Sequence, residues 1–309
     1  MTAPARLAAD KRLPMAEAVR RLVGDGDVVV IEGFTHLICF AAGHEIIRQR
    51  RRDLTLCRLT PDLIYDQMIA AGCARELVFS WAGNPGAGSL HAFRRAVEQG
   101  DPHPLALAEY SHFGMVARFT AGAAGLPFAA LRTFTGSDLP KVNPAIREIT
   151  CPYTGERLAT VPALNPDVAI VHVQRACADG TAQAWGLLGV QKEAALAARR
   201  VIVVAEEIVD ESVVRADPNR TLLPGFVVDA VVHEPWGCHP SFAQGHYDRD
   251  NDFYLGWSEI AKDQRSLARW LDEWVYGVAG RAEYAARMGE RLTRLRATPR
   301  PSGAVDYGY

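Results

Sequence analysis

The stretch Asp27-Val28-Val29-Val30-Ile31-Glu32-Gly33-Phe34-Thr35-His36 decides the fold of this chain. Its four consecutive β-branched residues form a run too short for a helix, which predicts a strand buried on both faces of a parallel sheet. The run ends at a carboxylate, a glycine, an aromatic ring and two hydrogen-bonding side chains. Because open α/β sheets bind ligands at the carboxyl ends of their strands, these groups form a predicted site. A buried strand with a purely structural glycine turn fits the same pattern.

Strands and helices alternate along the rest of the chain. The pattern predicts further strands at 54–59, 76–81, 105–109, 128–134, 167–173, 201–205 and 226–232, and helices at 15–23, 41–52, 63–71, 89–99, 113–124 and 189–199. Short connections between them favour right-handed crossovers. The predicted class is α/β, a mostly parallel open sheet with helices on both faces. A helical segment follows from Asn251, and its apolar stripe of Trp257, Trp270, Leu271, Trp274 and Val275 is expected to be core.

One segment interrupts this alternation. Proline, asparagine and glycine recur between residues 135 and 164, which predicts an excursion that contains a hairpin. A lid, a partner contact and a surface loop all remain open for it. We expect residues 1–297 to form a single α/β domain and residues 298–309, short and polar, to form a flexible tail.

Composition excludes several classes of protein. The 309 residues include 34 Lys and Arg against 36 Asp and Glu, and the one basic run, at 48–52, is interpreted as a helix end, so nucleic-acid binding is not expected. Six cysteines without a C-x-x-C pair predict reduced thiols. Histidines without metal-ligand spacing predict no metal site, and His172 is interpreted as a hydrogen-bonded core residue. No segment is apolar enough for a membrane span or a signal peptide, so we expect a cytoplasmic protein without membrane association.

Two further features could carry chemistry. The turn Gly83-Asn84-Pro85-Gly86-Ala87-Gly88 lies between a strand and a helix, where backbone amides can bind anions. It lacks the spacing of a P-loop or dinucleotide fold, so it is either a structural turn or a ligand-binding loop, and Ser80 nearby favours a ligand. Four glutamates end predicted strands: Glu32, Glu109, Glu206 and Glu207. Each suits a nucleophile or base tuned by burial, and equally a helix cap or an ion pair.

Taken in order, the motifs resemble those of the A, or α, subunits of the family I CoA-transferases, above all those of 3-oxoadipate and glutaconate CoA-transferases. The likeness rests on Glu32-Gly33-Phe34-Thr35-His36-Leu37, Thr60-Pro61-Asp62-Leu63-Ile64-Tyr65-Asp66, Phe79-Ser80-Trp81-Ala82-Gly83-Asn84-Pro85-Gly86 and Gly136-Ser137-Asp138-Leu139-Pro140-Lys141-Val142. With further matches it extends over residues 15–290. It implies the sheet-and-helix fold shared with sugar-phosphate isomerases.

The resemblance also implies a reaction and a partner. The reaction is ping-pong transfer of CoA from an acyl-CoA, with succinyl-CoA expected, to a 3-oxo or dicarboxylic acid in aromatic-compound degradation. No cofactor is held permanently, and the coenzyme A thioester is a substrate. The partner is a β subunit, in an α2β2 heterotetramer, which supplies the nucleophilic glutamate in a Ser-Glu-Asn-Gly or related motif. This chain lacks that motif.

By the same resemblance this chain supplies the substrate side of the cleft and no catalytic nucleophile. The implied binding residues are Gly33, Phe34, Thr35, Thr60, Asp62, Ser80, Gly83, Asn84, Pro85 and Gly86. Glu32 stands where many relatives carry glycine, so it either shapes the acid pocket or is structural. Two other functions remain open. One is an acyl-CoA or ring-cleaving hydrolase on the same fold, with Glu109 as the local carboxylate. The other is a non-catalytic CoA-binding partner.

Overall fold

A computed structural model describes residues 10–134 and 136–297, so the predicted tail at 298–309 lies outside the described residues. The strands are β1 (Val28–Glu32), β2 (Leu54–Cys57), β3 (Ala74–Phe79), β4 (Ala106–Glu109), β5 (Phe128–Leu131), β6 (Arg147–Thr150), β7 (Arg157–Pro162), β8 (Val168–Ala176), β9 (Ala182–Gln183), β10 (Arg200–Ile208), β11 (Thr221–Leu223) and β12 (Ala230–His233).

The helices are α1 (Met15–Leu22), α2 (Phe40–Arg48), α3 (Leu63–Ala70), α4 (His91–Gln99), α5 (His112–Ala123), α6 (Leu139–Val142), α7 (Gln191–Ala197), α8 (Glu211–Ala216), α9 (Asn251–Ala261), α10 (Gln264–Leu271), α11 (Arg281–Met288) and α12 (Glu290–Leu295). Short 3₁₀ turns lie at Pro218–Arg220 and Gly225–Val227, and a π-helical turn lies at Asp272–Tyr276. Among the described helices, none combines the length and the apolar character that crossing a bilayer requires.

The central sheet is parallel and β1 lies in its middle. The parallel strands follow one another in the order β12, β10, β8, β1, β2, β3, β4, and β9 and β11 extend the sheet beyond the end of β8 in antiparallel pairing. The chain runs outward from β1 to β4 and then returns to β8 on the other side of β1. The order therefore reverses between β1 and β8, which is where open α/β sheets form their ligand crevice.

Successive side chains of β1 point to opposite faces of the sheet, and helices cover a hydrophobic core on each face. Val29 and Ile31 pack with α1, α2, α3 and α4 and with the C-terminal helices, whereas Val30 packs with α5 and α7. The predicted fold class is confirmed. The predicted apolar stripe is also core, since Trp257, Trp270, Leu271 and Val275 are buried, while Trp274 is partly buried against them.

Other predicted strands shift by one to three residues at their ends, and three differ in ways that affect the site or the topology. The apolar segment at 128–134 was expected in the parallel sheet, but β5 pairs with β7 in a separate antiparallel sheet that contains the predicted β6–β7 hairpin. The strand expected at 226–232 begins only at Ala230, because Pro224 and Gly225 start a 3₁₀ turn that leaves Phe226 85% exposed. The strand expected to end at Ala205 continues through Glu206 and Glu207, which belong to β10 beside β8.

Candidate active site

The first loop of the candidate site is a tight turn directly after β1. A Cβ atom on Gly33 would lie 2.7 Å from the carbonyl oxygen of His36 and 2.8 Å from that of Leu37, so only glycine fits. Thr35 and Leu37 have φ values of +56° and +55°, in the left-handed region. Backbone held in this region is costly for residues other than glycine and is common at functional sites.

A buried arginine joins this loop to the second one, which follows β2. Arg58 is 1% exposed, and its Nη1 donates to Oδ1 of Asp62 at 3.0 Å while its Nη2 donates to the carbonyl oxygen of Gly33. Asp62 is therefore an ion-pair partner at the start of α3. Sequence reasoning overlooked Arg58, although an arginine inside the apolar run at 54–59 signals a buried charge that needs a partner.

The third loop, after β3, is anchored to the second. Ser80 donates its hydroxyl proton to the carbonyl oxygen of Leu59 at 2.6 Å, and the backbone N–H of Gly83 donates to the carbonyl oxygen of Pro61. Asn84 is buried and its side-chain amide donates to the carbonyl oxygen of Tyr254 at 2.7 Å, which ties the loop to α9.

The structure thus brings together the three loops that carry the predicted binding residues. Phe34, Thr35, Thr60, Ser80 and Pro85 are partly exposed in the structure. The remaining predicted residues are the buried Asp62 and Asn84 together with the glycines of the two turns, Gly33, Gly83 and Gly86. Sequence reasoning also missed Arg249, whose Nη2 donates to the carbonyl oxygen of Pro85 at 3.0 Å and whose guanidinium lies 3.8 Å from the ring centroid of Tyr254.

Glu32 is a buried carboxyl group whose oxygens lack a hydrogen-bond partner. The residue is 1% exposed. Burial raises its pKa to about 7, against the opposing influence of the Arg58 guanidinium and of the backbone N–H groups of Gly33 and Leu59, which lie near the carboxyl group but outside hydrogen-bonding geometry. At neutral pH this carboxyl group is therefore partly protonated.

Glu206 lies two strands away and has the opposite electrostatics. Burial would raise its pKa, but hydrogen bonds from His172, Tyr247 and the backbone N–H of Trp236 outweigh that effect and hold the pKa below its ordinary value. His172 is fully buried and lies 2.9 Å from Glu206, in agreement with the prediction of a hydrogen-bonded core histidine. Cys238 completes a group of three possible metal ligands with these two residues. The Glu206 oxygens already accept three hydrogen bonds, so hydrogen bonding within the protein accounts for the proximity of these three residues.

The same edge of the sheet carries an accessible carboxylate and exposed apolar side chains. Glu109 is exposed at the end of β4, where it pairs in register with Phe79 of β3. Trp81, Leu187 and Leu188 are 45%, 46% and 40% exposed in the loops that follow β3 and β9. Large apolar side chains exposed beside a site are typical of a surface that a partner covers.

The family model described as Coenzyme A transferase matches residues 12–234. This chain belongs to the coenzyme A transferase family. It is 55% identical over 278 residues to the A subunit of the 3-oxoadipate CoA-transferase of Pseudomonas knackmussii, an alignment that covers 90% of this chain and 98% of the relative. It is 32% identical over 308 residues to the A subunit of the glutaconate CoA-transferase of Acidaminococcus fermentans, covering 94% of this chain and 95% of the relative.

Solved structures agree with this assignment to the coenzyme A transferases. The crystal structure of glutaconate CoA-transferase from Acidaminococcus fermentans matches with a TM-score of 0.87 over 94% of this chain and 96% of the other, at 32% identity. A variant of the decarboxylase AibA/AibB matches with a TM-score of 0.72 over 84% of this chain and 97% of the other, at 31% identity. The predicted resemblance to the A subunits of CoA-transferases is confirmed.

Proposed function

We propose that this chain is the α subunit of a cytoplasmic, heteromeric CoA-transferase that acts in aromatic-compound degradation. It moves CoA from an acyl-CoA, succinyl-CoA, to a 3-oxo or dicarboxylic acid. The similarity to the A subunit of a 3-oxoadipate CoA-transferase over nearly the whole length of both proteins supports this acid class. The likeness to two such A subunits also supports a β-subunit partner, which we expect in an α2β2 heterotetramer.

One observation supports the proposal that this subunit binds substrate and the partner supplies the nucleophile. Glu32 is buried and partly protonated, and Glu206 is engaged in three hydrogen bonds, so neither offers a free carboxylate for attack on a thioester. This supports a nucleophile supplied by the partner. The exposed Trp81, Leu187 and Leu188 mark the surface of this chain against which the partner would pack.

The proposed reaction consists of successive acyl-transfer steps at the partner's glutamate. The partner's glutamate attacks the acyl-CoA thioester, which releases CoA thiolate and leaves an acyl–glutamyl anhydride. The thiolate then attacks the glutamyl carbonyl, forming a glutamyl-CoA thioester and releasing the donor acid. The acceptor acid repeats the two steps in reverse. The Gly33, Thr60 and Ser80 loops hold the acyl carboxylate by backbone N–H groups and by threonine hydroxyl groups, which contributes orientation rather than bond making.

Reconstitution tests this proposal. The chain is purified alone and together with the product of the neighbouring open reading frame, and each preparation is assayed with succinyl-CoA and 3-oxoadipate. We expect transfer only from the two-subunit preparation. Full activity from the isolated chain would refute the two-subunit proposal, and a partner without a glutamate motif would refute the assignment of the nucleophile.

An acyl-CoA or ring-cleaving hydrolase remains the second candidate because Glu109 is an exposed carboxylate at the same edge as Ser80. Trapping with hydroxylamine or borohydride during turnover separates the two functions. A glutamyl-CoA adduct on the partner indicates transfer, whereas release of free CoA without an adduct, lost in Glu109→Gln, indicates acyl-CoA hydrolysis. A non-catalytic CoA-binding role predicts neither reaction.

A further inference from the structure

Glu32 shares a buried corner with Gln191, and Gly189 closes it. A Cβ atom on Gly189 would lie 3.4 Å from Oε1 of Glu32, 3.5 Å from Oε1 of Gln191 and 3.3 Å from Cβ of Phe34. Gly189 is exposed and has no side chain, so only its backbone separates this corner from solvent. The corner lies at the carboxyl end of β1, beside the point where the strand order reverses.

Three polar atoms in this corner have no hydrogen-bond partner. They are both carboxyl oxygens of Glu32 and the side-chain amide nitrogen Nε2 of Gln191. Gln191 is 1% exposed, and its orientation is fixed because Oε1 accepts from the backbone N–H of Gly189 at 2.6 Å. Buried polar groups almost always have partners, so the unpartnered carboxyl and amide groups leave hydrogen-bonding positions that a ligand or an ordered water can fill.

We propose that Glu32 and Gln191 form the specificity-determining element of this subunit, and that they hydrogen-bond an oxo or carboxylate oxygen on the acyl chain of the acid substrate. This inference rests on the proposed CoA-transfer function. The substrate oxygen takes a place between Phe34 and Gly189. Nε2 of Gln191 donates one hydrogen bond to it, and the protonated carboxyl group of Glu32 donates another. An acid with a plain hydrocarbon chain leaves both donors without an acceptor.

The charge state of Glu32 controls this recognition. The ionisable groups that act on it are Arg58 and Asp62 of the second loop, with Tyr65 and Cys57 close by. Burial raises the pKa of the Tyr65 and Cys57 groups further above neutrality, and it also raises the pKa of Asp62 above its ordinary value, against the opposing influence of its Arg58 partner. Loss of the Glu32 proton removes a donor and brings a negative charge toward an anionic substrate. Because the pKa of Glu32 is about 7, discrimination should weaken as the pH rises through that value.

The test uses the assembled two-subunit enzyme and three acceptors, 3-oxoadipate, adipate and hexanoate, with succinyl-CoA as donor. The measured quantity is kcat/KM for each acceptor at pH 6 and pH 8.5. We expect Glu32→Leu to reduce the preference for the oxygen-bearing acids over hexanoate by about tenfold to a hundredfold, the usual effect of losing one such hydrogen bond. Glu32→Gln retains a donor, so we expect it to keep the preference and to lose its dependence on pH.

Two further variants keep the test decisive. Gly189→Ala adds a methyl group 3.4 Å from Oε1 of Glu32, beside the proposed substrate oxygen, without requiring a left-handed backbone, and we expect KM to rise more for 3-oxoadipate than for hexanoate. Glu98→Gln on the exposed side of α4 is the control, and we expect wild-type values. An unchanged preference in both Glu32→Leu and Gly189→Ala, in assembled enzyme that transfers CoA, would overturn this inference alone. A wild-type enzyme that transfers CoA to none of the acids would overturn the proposed function as well.

Discussion

Replacing Glu32 with glutamine should stabilise the protein at alkaline pH. Glutamine has the shape of a neutral glutamate but cannot ionise. The pKa of Glu32 is raised from 4.5 to about 7. At about 1.36 kcal/mol for each pKa unit, ionising this buried carboxyl costs about 3 kcal/mol more in the folded chain than in the unfolded chain.

The sign of the effect follows from the two pKa values. Below the unfolded pKa of 4.5 the carboxyl is protonated in both states and makes no difference. As the pH rises further, the unfolded chain loses its proton more readily than the folded chain, and the cost is complete above about pH 7. The stability gained by Glu32→Gln should therefore be near zero at about pH 4 and largest above about pH 7.

Thermal unfolding of the full chain from about pH 4.5 to about pH 8.5 measures this difference. With an unfolding entropy of about 2.1 cal/mol/K per residue, a difference of about 3 kcal/mol in a 309-residue chain shifts Tm by about 5 °C. Glu206→Gln is the matched control, because hydrogen bonds lower the pKa of Glu206 and the substitution should destabilise the protein at neutral pH. A Tm difference for Glu32→Gln that is constant with pH, or that favours the wild type at alkaline pH, would refute the reasoning.

Three other substitutions test the loops of the site. Arg58→Met leaves the buried carboxylate of Asp62 unpaired, so we expect a loss of about 3–5 kcal/mol in the free energy of unfolding by urea, and a loss below about 1 kcal/mol would contradict the role of this ion pair. Gly33→Ala places a Cβ atom 2.7 Å from the His36 carbonyl oxygen, and we expect kcat/KM of the assembled enzyme to fall at least about tenfold as the loop shifts, whereas wild-type kinetics would show that the turn tolerates a side chain. Asn84→Ala removes a buried 2.7 Å hydrogen bond to α9, and we expect a loss of about 1–3 kcal/mol in stability by urea unfolding, with no change if the amide is instead free for ligand.

Local sequence patterns predicted most of the fold and misjudged it where apolar character was ambiguous. The residues of β5 are apolar along their length, so the pattern cannot separate a strand buried on both faces from one that leaves Phe128 44% exposed. The prediction of a strand from Phe226 was wrong for a related reason. The turn set by Pro224 and Gly225 outweighs the β propensity of the residues that follow.

The candidate site was predictable as a set of loops and unpredictable as a set of contacts. Residues such as Gly33, Thr60 and Ser80 follow strand patterns directly, so their position at one edge of the sheet follows from strand order. Gln191 gave no signal at all, since a glutamine at the start of an amphipathic helix is commonplace. Arg249 gave none either, because only the packing of α9 against the third loop brings it to Pro85.

The sequence by itself determined the strand Val28–Glu32, its glycine turn and the alternation that builds a parallel sheet, because β-branched side chains and glycine act on the backbone within a few residues. Only the tertiary structure decided what Glu32 is. The segments that bury Glu32, including those that carry Arg58 and Gly189, are distant from it in the chain. The energy of a charge depends on everything packed around it, so the same carboxylate that a motif marks as reactive is held here as a buried, partly protonated group.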